Sequence, residues 1–198
     1  LNDLKARIEA ADVYALAKRT PCEFAPKLSG ALGRNIWLKR EDLSPVRSYK
    51  LRGAFNAMRK QLDRNLFVCA SAGNHAQGVA YMCKHMQVRG VIFMPVTTPQ
   101  QKIQKTRMFG GDHVEIHLTG DYFDDTLASA QEWSAQHGGH FLSPFDDADV
   151  IEGQASVGVE ITDQLGCVPD MVILPVGGGG MSSGVRSWFQ GETDYMFV

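Results

Sequence analysis

Lys50 stands in the run Ser48-Tyr49-Lys50-Leu51-Arg52-Gly53-Ala54, a serine followed by residues at helical spacing. A lysine serves carbonyl chemistry only when its amine is neutral and free to condense with an aldehyde or ketone. With Ser48 as the N-cap of a helix over 48–61, Lys50 falls in the first turn. There the positive end of the helix dipole disfavours the ammonium form. Taken alone, such a lysine reads as a solvated surface charge, so the chemical reading needs partners elsewhere in the chain.

Two glycine-containing loops supply them. Gly177-Gly178-Gly179-Gly180 follows the apolar run Met171-Val172-Ile173-Leu174-Pro175-Val176 and precedes Met181-Ser182-Ser183, the pattern of a strand, a loop and a helix start. Loop amides without Cβ atoms can close on a phosphate, and the helix end adds a favourable field. Four glycines in a row carry a large backbone-entropy cost for a turn that merely packs closely. The spacing matches neither Gly-x-x-x-x-Gly-Lys-[Ser/Thr] nor Gly-x-Gly-x-x-Gly, which disfavours a nucleotide. The second loop, Ser71-Ala72-Gly73-Asn74-His75, lies between a strand and a helix, where its amides and the Ser71 hydroxyl suit a carboxylate. By itself it reads better as a well-capped strand-to-helix turn.

The elements that must position these loops alternate along the chain. Helical spacing is expected at 4–19, 48–61, 75–86, 99–109, 122–137, 150–165 and 182–190. Strand patterns are expected at 36–39, 66–70, 90–94, 113–118, 140–142, 171–176 and 195–198. Such alternation is the mark of βαβ units and an α/β fold with parallel sheet, in which ligands gather beyond the carboxyl ends of the strands. The run at 171–176 reads as a buried strand. The final Tyr195-Met196-Phe197-Val198 looks like the start of another, so that further sheet is expected beyond Val198.

Composition narrows the function classes. A net charge of -2 from 20 basic and 22 acidic side chains leaves no broad basic field for nucleic acid. No apolar run approaches the roughly 20 residues of a membrane span, and Leu1-Asn2-Asp3-Leu4-Lys5 lacks the apolar core of a secretion signal, so a cytoplasmic setting is expected. Cys22, Cys69, Cys83 and Cys167 show no Cys-x-x-Cys spacing and read as reduced, mostly buried thiols. His113 and His117 are four apart but fall in a strand pattern, which spoils helical ligand spacing, and no metal site is expected.

In their order and spacing, the Lys50 segment, Ser71-Ala72-Gly73-Asn74-His75 and Gly177-Gly178-Gly179-Gly180-Met181 together resemble the fold-type II pyridoxal-phosphate enzymes, most nearly the threonine dehydratases (threonine ammonia-lyases). Met94-Pro95-Val96-Thr97-Thr98-Pro99, Gly120-Asp121-Tyr122-Phe123-Asp124-Asp125, Ser143-Pro144-Phe145-Asp146-Asp147 and Glu152-Gly153-Gln154 support that subgroup, and the likeness runs from about Tyr14 to Gly184. It implies two parallel-type open twisted sheets flanked by helices. Residues 1–52 and 146–198 would belong to an incomplete large domain and 53–145 to a small one.

The resemblance also implies roles. Lys50 would hold pyridoxal 5'-phosphate as a Schiff base and act as general base. Asn74 would bond the 3'-oxygen, and Gly177, Gly178, Gly179, Gly180 and Met181 would hold the phosphate. Ser71, Ala72, Gly73, Asn74 and His75 would grip the substrate carboxylate. The implied reaction converts L-threonine to 2-oxobutanoate and ammonia, the first step of isoleucine biosynthesis, in a cytoplasmic homo-oligomer. A serine dehydratase or serine racemase shares all three loops, and a non-catalytic remnant of the fold stays open beside them. The hydroxyl residue that faces the pyridine nitrogen in this family has no match among these residues.

Overall fold

The computed structural model describes residues 2–198; Leu1, where the N-terminal stretch discussed above begins, lies outside them. The first half runs α1 (Asn2–Glu9), β1 (Cys22–Phe24), α2 (Pro26–Leu32), β2 (Trp37–Lys39), α3 (Lys50–Arg59), β3 (Leu66–Ala70), α4 (Asn74–Met86) and β4 (Arg89–Met94). The second runs α5 (Gln100–Gly110), β5 (Val114–Leu118), α6 (Phe123–His137), β6 (His140–Phe141), α7 (Ala148–Leu165), β7 (Met171–Leu174), α8 (Gly180–Phe189) and β8 (Asp194–Phe197).

The central sheet is four-stranded, in the order β5-β4-β3-β6, and every pair is parallel. β3 is buried on both faces because its side chains alternate between two layers. Phe67 and Cys69 join Ile92 and Met94 under α3, α4 and α5, while Val68 and Ala70 join Val91 and Phe93 under α6. The chain leaves β3 toward β4 and β5 on one side and returns as β6 on the other. The strand order therefore reverses beside β3, and the crevice at such a point is where open α/β sheets bind ligands. Both 71–75 and 142–145 leave the sheet there. A second parallel pair, β7 with β8, packs against α7 and α8 through Val172, Leu174, Val157, Val185 and Phe189.

Several local expectations fail for identifiable reasons. The helix over 4–19 stops at Glu9, because the Asp12 carboxylate accepts from the Tyr14 amide at 3.2 Å and turns the chain; Ile8, Ala11, Val13 and Ala17 are still buried. β7 is half-buried rather than buried, with Val172 and Leu174 inside but Met171 and Ile173 exposed, since it pairs with β8 alone among the described residues. The strand expected at 36–39 is present as β2, but β1, its antiparallel pairing with β2, and the short α2 were not expected, although Pro26 at the start of α2 and Gly33 at φ +62° after it are ordinary helix punctuation. Of the four cysteines, Cys69 and Cys83 are buried and Cys167 is exposed.

α3 is fixed on two sides by close backbone approaches. A Cβ on Gly153 of α7 would lie 2.5 Å from the Arg52 carbonyl oxygen and 2.7 Å from Gly53 Cα; one on Gly78 of α4 would lie 3.2 Å from the Lys50 carbonyl. A buried ion network sets its rotation. Arg52, 2% exposed, donates to both oxygens of Glu41 at 2.9 Å and to Glu160 at 2.6 and 3.0 Å, and Lys39 donates to Glu160 at 2.5 Å. Burial alone would raise the Glu160 pKa, but Arg52 and Lys39 outweigh it and the carboxylate lies below its usual 4.5. A depressed carboxylate pKa means stability that is complete above the unfolded value and is lost as the pH falls through the folded one.

Arg52→Met leaves Glu160 buried with only Lys39 opposite it, and removing one partner of a buried pair typically costs about 3–5 kcal/mol. Urea unfolding at neutral pH is expected to show a loss of that size, which shrinks as the pH drops below 4.5. A loss under about 1 kcal/mol would mean that the network does not hold α3.

Candidate active site

Lys50 is the first residue of α3. Ser48 does not cap this helix: the N-cap position is Tyr49, without a side-chain hydrogen bond, and the Ser48 hydroxyl is buried with no partner. Ser44 organises the turn instead, its hydroxyl accepting from the Ser48 amide at 2.9 Å and donating to the Ser48 carbonyl at 2.8 Å. Arg47 in that turn adopts φ +58°, a strained value for a side-chain-bearing residue.

The Lys50 amine is partly buried, donates to the Pro144 carbonyl at 2.8 Å and lies 5.4 Å from the centre of the Tyr49 ring. Among the described residues no carboxylate pairs with it. Burial without a counter-charge pushes its pKa down from 10.5 to about 8. Desolvation thus does what the helix dipole was expected to do.

The loop 71–75 stands at the carboxyl end of β3. Ser71 is held by its amide donating to the Phe93 carbonyl at 3.0 Å, and its hydroxyl accepts from the Gly73 amide at 3.1 Å. Ser71, Ala72 and Gly73 are half-buried, Asn74 is exposed at the start of α4, and Gly73 caps that helix without a side-chain acceptor for its first amides. His75 is 2% exposed. Its Nε2–H donates to the Leu142 carbonyl at 3.1 Å, and Nδ1 is left with a lone pair and no partner. Burial first, and the nearby Lys50 charge second, push the His75 pKa down to about 3, so the ring is neutral at ordinary pH.

The glycine loop follows β7. Gly177 and Gly178 are exposed, Gly179 is half-buried at φ +89°, and Gly180 begins α8, whose first amides have no side-chain cap. Its positions alternate. A Cβ on Gly177 or Gly179 would meet nothing within 4 Å, whereas one on Gly178 would run into the Phe145 ring and one on Gly180 would lie 3.0 Å from Phe145 Cα. One face of the loop is packed and the other is open. Met181 turns its side chain into the core shared with Tyr49, so that only its amide remains for a ligand.

The segment 142–145 joins these parts, since it accepts from His75 and Lys50 and packs Phe145 on the glycine loop. No role for Pro144 or Phe145 could be read from the sequence. A cleft of about 530 Å³ opens beside Asn74 and is lined by Arg47, Gln77, Lys102 and Lys105, which makes the cleft basic. Lys102 and Lys105, three apart on α5, were the only signal of it.

A family model described as pyridoxal-phosphate dependent enzyme matches residues 13–194. The chain belongs to that family. It is 47% identical over 191 residues to the biosynthetic L-threonine dehydratase of Bacillus subtilis, an overlap of 94% of this chain and 44% of that protein. It is 45% identical over 187 residues to the chloroplastic biosynthetic threonine dehydratase 1 of Solanum lycopersicum, covering 92% of this chain and 30% of the other. The chain thus spans less than half the length of these relatives. The processed form of threonine deaminase isoform 2 from Solanum lycopersicum superposes with a TM-score of 0.89 at 42% identity, over 99% of this chain and 55% of that one.

The residues present fit the family's cofactor. Pyridoxal phosphate needs an amine that loses its proton readily and donors for a dianionic phosphate. Lys50 offers the first, and the open face of 177–180 with the uncapped start of α8 offers the second. Beside Lys50, the Nδ1 of His75 is a buried polar atom without a partner.

Because the folded Lys50 pKa is lowered, the unfolded chain binds more protons between about pH 8 and 10.5, and Lys50 contributes a stability that rises with pH across that window. In cofactor-free protein, the rate of reductive methylation at Lys50, followed by peptide mass mapping, is expected to titrate with a midpoint near 8. A midpoint at the ordinary 10.5 would show a solvated amine.

Proposed function

We propose that the protein to which this chain corresponds converts L-threonine to 2-oxobutanoate and ammonia, the water lost first being taken up again when the nitrogen leaves. The observation that carries the chemistry is the Lys50 amine, partly buried without a counter-charge and hung on the carbonyl of a segment that also touches the glycine loop. The choice of threonine is supported by 47% identity, over 94% of this chain, to a protein named L-threonine dehydratase.

In this reading Lys50 holds the cofactor and later moves the proton at the substrate Cα, which a pKa of about 8 suits at neutral to mildly basic pH. When bound, pyridoxal phosphate supplies an electron sink for negative charge at that carbon. The amides of Gly177, Gly178, Gly179, Gly180 and Met181 hold the phosphate. The amides of 71–75 at the start of α4 orient the substrate carboxylate, and Asn74 offers its carboxamide to the cofactor's ring oxygen. His75, neutral and fixed in its Nε2–H form by Leu142, adds no charge to compete for the proton of Lys50. The overall reaction is redox-neutral: threonine loses water, and the nitrogen leaves as ammonia when water adds. We assign 53–145 to a small domain and 1–52 with 146–198 to a large one, with Lys50 near their junction.

Lys50→Ala is expected to abolish formation of 2-oxobutanoate from L-threonine in a coupled oxoacid assay. Turnover within tenfold of the parent would sink the assignment. Rates on L-threonine, L-serine and D-serine compared in the same assay separate this reading from a serine dehydratase or racemase, and threonine is expected to be the preferred substrate.

A further inference from the structure

The mechanism above uses the open face of the glycine loop. Its closed face is made by one residue, by its ring at 178 and its main chain at 180. A Cβ on Gly178 would run into the Phe145 ring and come within 2.8 Å of Phe145 Cβ, and one on Gly180 would lie 3.0 Å from Phe145 Cα and 3.1 Å from its carbonyl oxygen. Phe145 is itself held at both ends. On one side Pro144 accepts from Lys50, and Leu142 is tied by its amide to Val68 at 2.8 Å and by its carbonyl to His75. On the other, the Asp147 carboxylate caps α7 by accepting from the Asp149 and Val150 amides at 2.8 and 3.2 Å. The ring is therefore presented to the loop by a segment fixed on either side of it.

Consecutive glycines have the largest backbone freedom of any residues, and a loop built from four of them has no side chain of its own to order it. We propose that Phe145 is a positioning residue for the phosphate-holding loop: its ring fills the space that a side chain at 178 would take, beside the contact its main chain makes at 180, and keeps the open-face amides in place. Through Pro144, the same segment sets the distance between that loop and the Lys50 amine. This rests on reading 177–181 as the phosphate holder.

The test compares the affinities of pyridoxal phosphate and of pyridoxal, which lacks the phosphate, for the protein after removal of its cofactor. Phe145→Ala is expected to weaken pyridoxal phosphate by about tenfold or more, of the order of the cost of ordering one residue's backbone, and to change pyridoxal by less than threefold. Equal losses for both ligands, or no loss for either, would overturn the proposal. The pair Phe145→Ala and Gly178→Ala gives a second arm that does not depend on one variant folding well. If ring and Cβ compete for the same space, Gly178→Ala harms phosphate-dependent affinity when Phe145 is present and is tolerated when residue 145 is alanine, whereas additive effects would contradict the proposal. A parent protein that shows no preference for pyridoxal phosphate over pyridoxal would defeat the reading of the loop itself. A parent with that preference, kept intact in Phe145→Ala, would defeat only the role of Phe145.

Discussion

The close approach of α3 to α4 and α7 is the constraint on which the site depends. Gly153 lets the α7 backbone meet that of α3 at Arg52 and Gly53, and Gly78 does the same for α4 at Lys50. Packing that tight has few alternative registers, because any Cβ added at either contact must displace main chain. The Arg52, Glu41, Glu160 and Lys39 network then fixes the rotation of α3 from the side away from the site. With translation and rotation both set, Lys50 is delivered to the reversal point of the central sheet.

What this placement gives the amine is an environment and not a partner. Arg52, two residues on, is saturated with carboxylates, while Lys50 has a carbonyl and an aromatic face. The same helix thus carries one cation whose charge is secured by ion pairs and one whose charge is undermined by burial. The parts proposed to hold anions follow the opposite logic. Both α4 and α8 begin without a side-chain cap, so their first amides remain available to a ligand. The segment 142–145 turns these separate features into one site, because it bonds to both titratable groups and bears on the glycine loop.

Much of the scaffold was legible in the sequence because its strands are short apolar runs bounded by turns: Leu66–Ala70 begins and ends where its pattern does. The three chemical segments were legible because their residue types are rarely combined. What could not be read depended on contacts between residues far apart in the chain. Ser48 has the type of an N-cap, yet Ser44 took over the turn and left its hydroxyl buried. The break at Asp12 is a local hydrogen bond that wins over helical spacing, and the exposed face of β7 reflects which strands are present to pair. Phe145 could not be assigned from its neighbours at all, since its partners lie more than 30 residues away in the glycine loop.

In the proposed reaction everything turns on Lys50 being the residue that binds the cofactor. Borohydride reduction of the purified protein, with intact mass before and after and peptide mapping of the product, tests it most directly. The expected product carries a single pyridoxyl group fixed on Lys50. A pyridoxyl group on Lys39, Lys102 or another lysine, or retained cofactor that reduction leaves unattached, would contradict it.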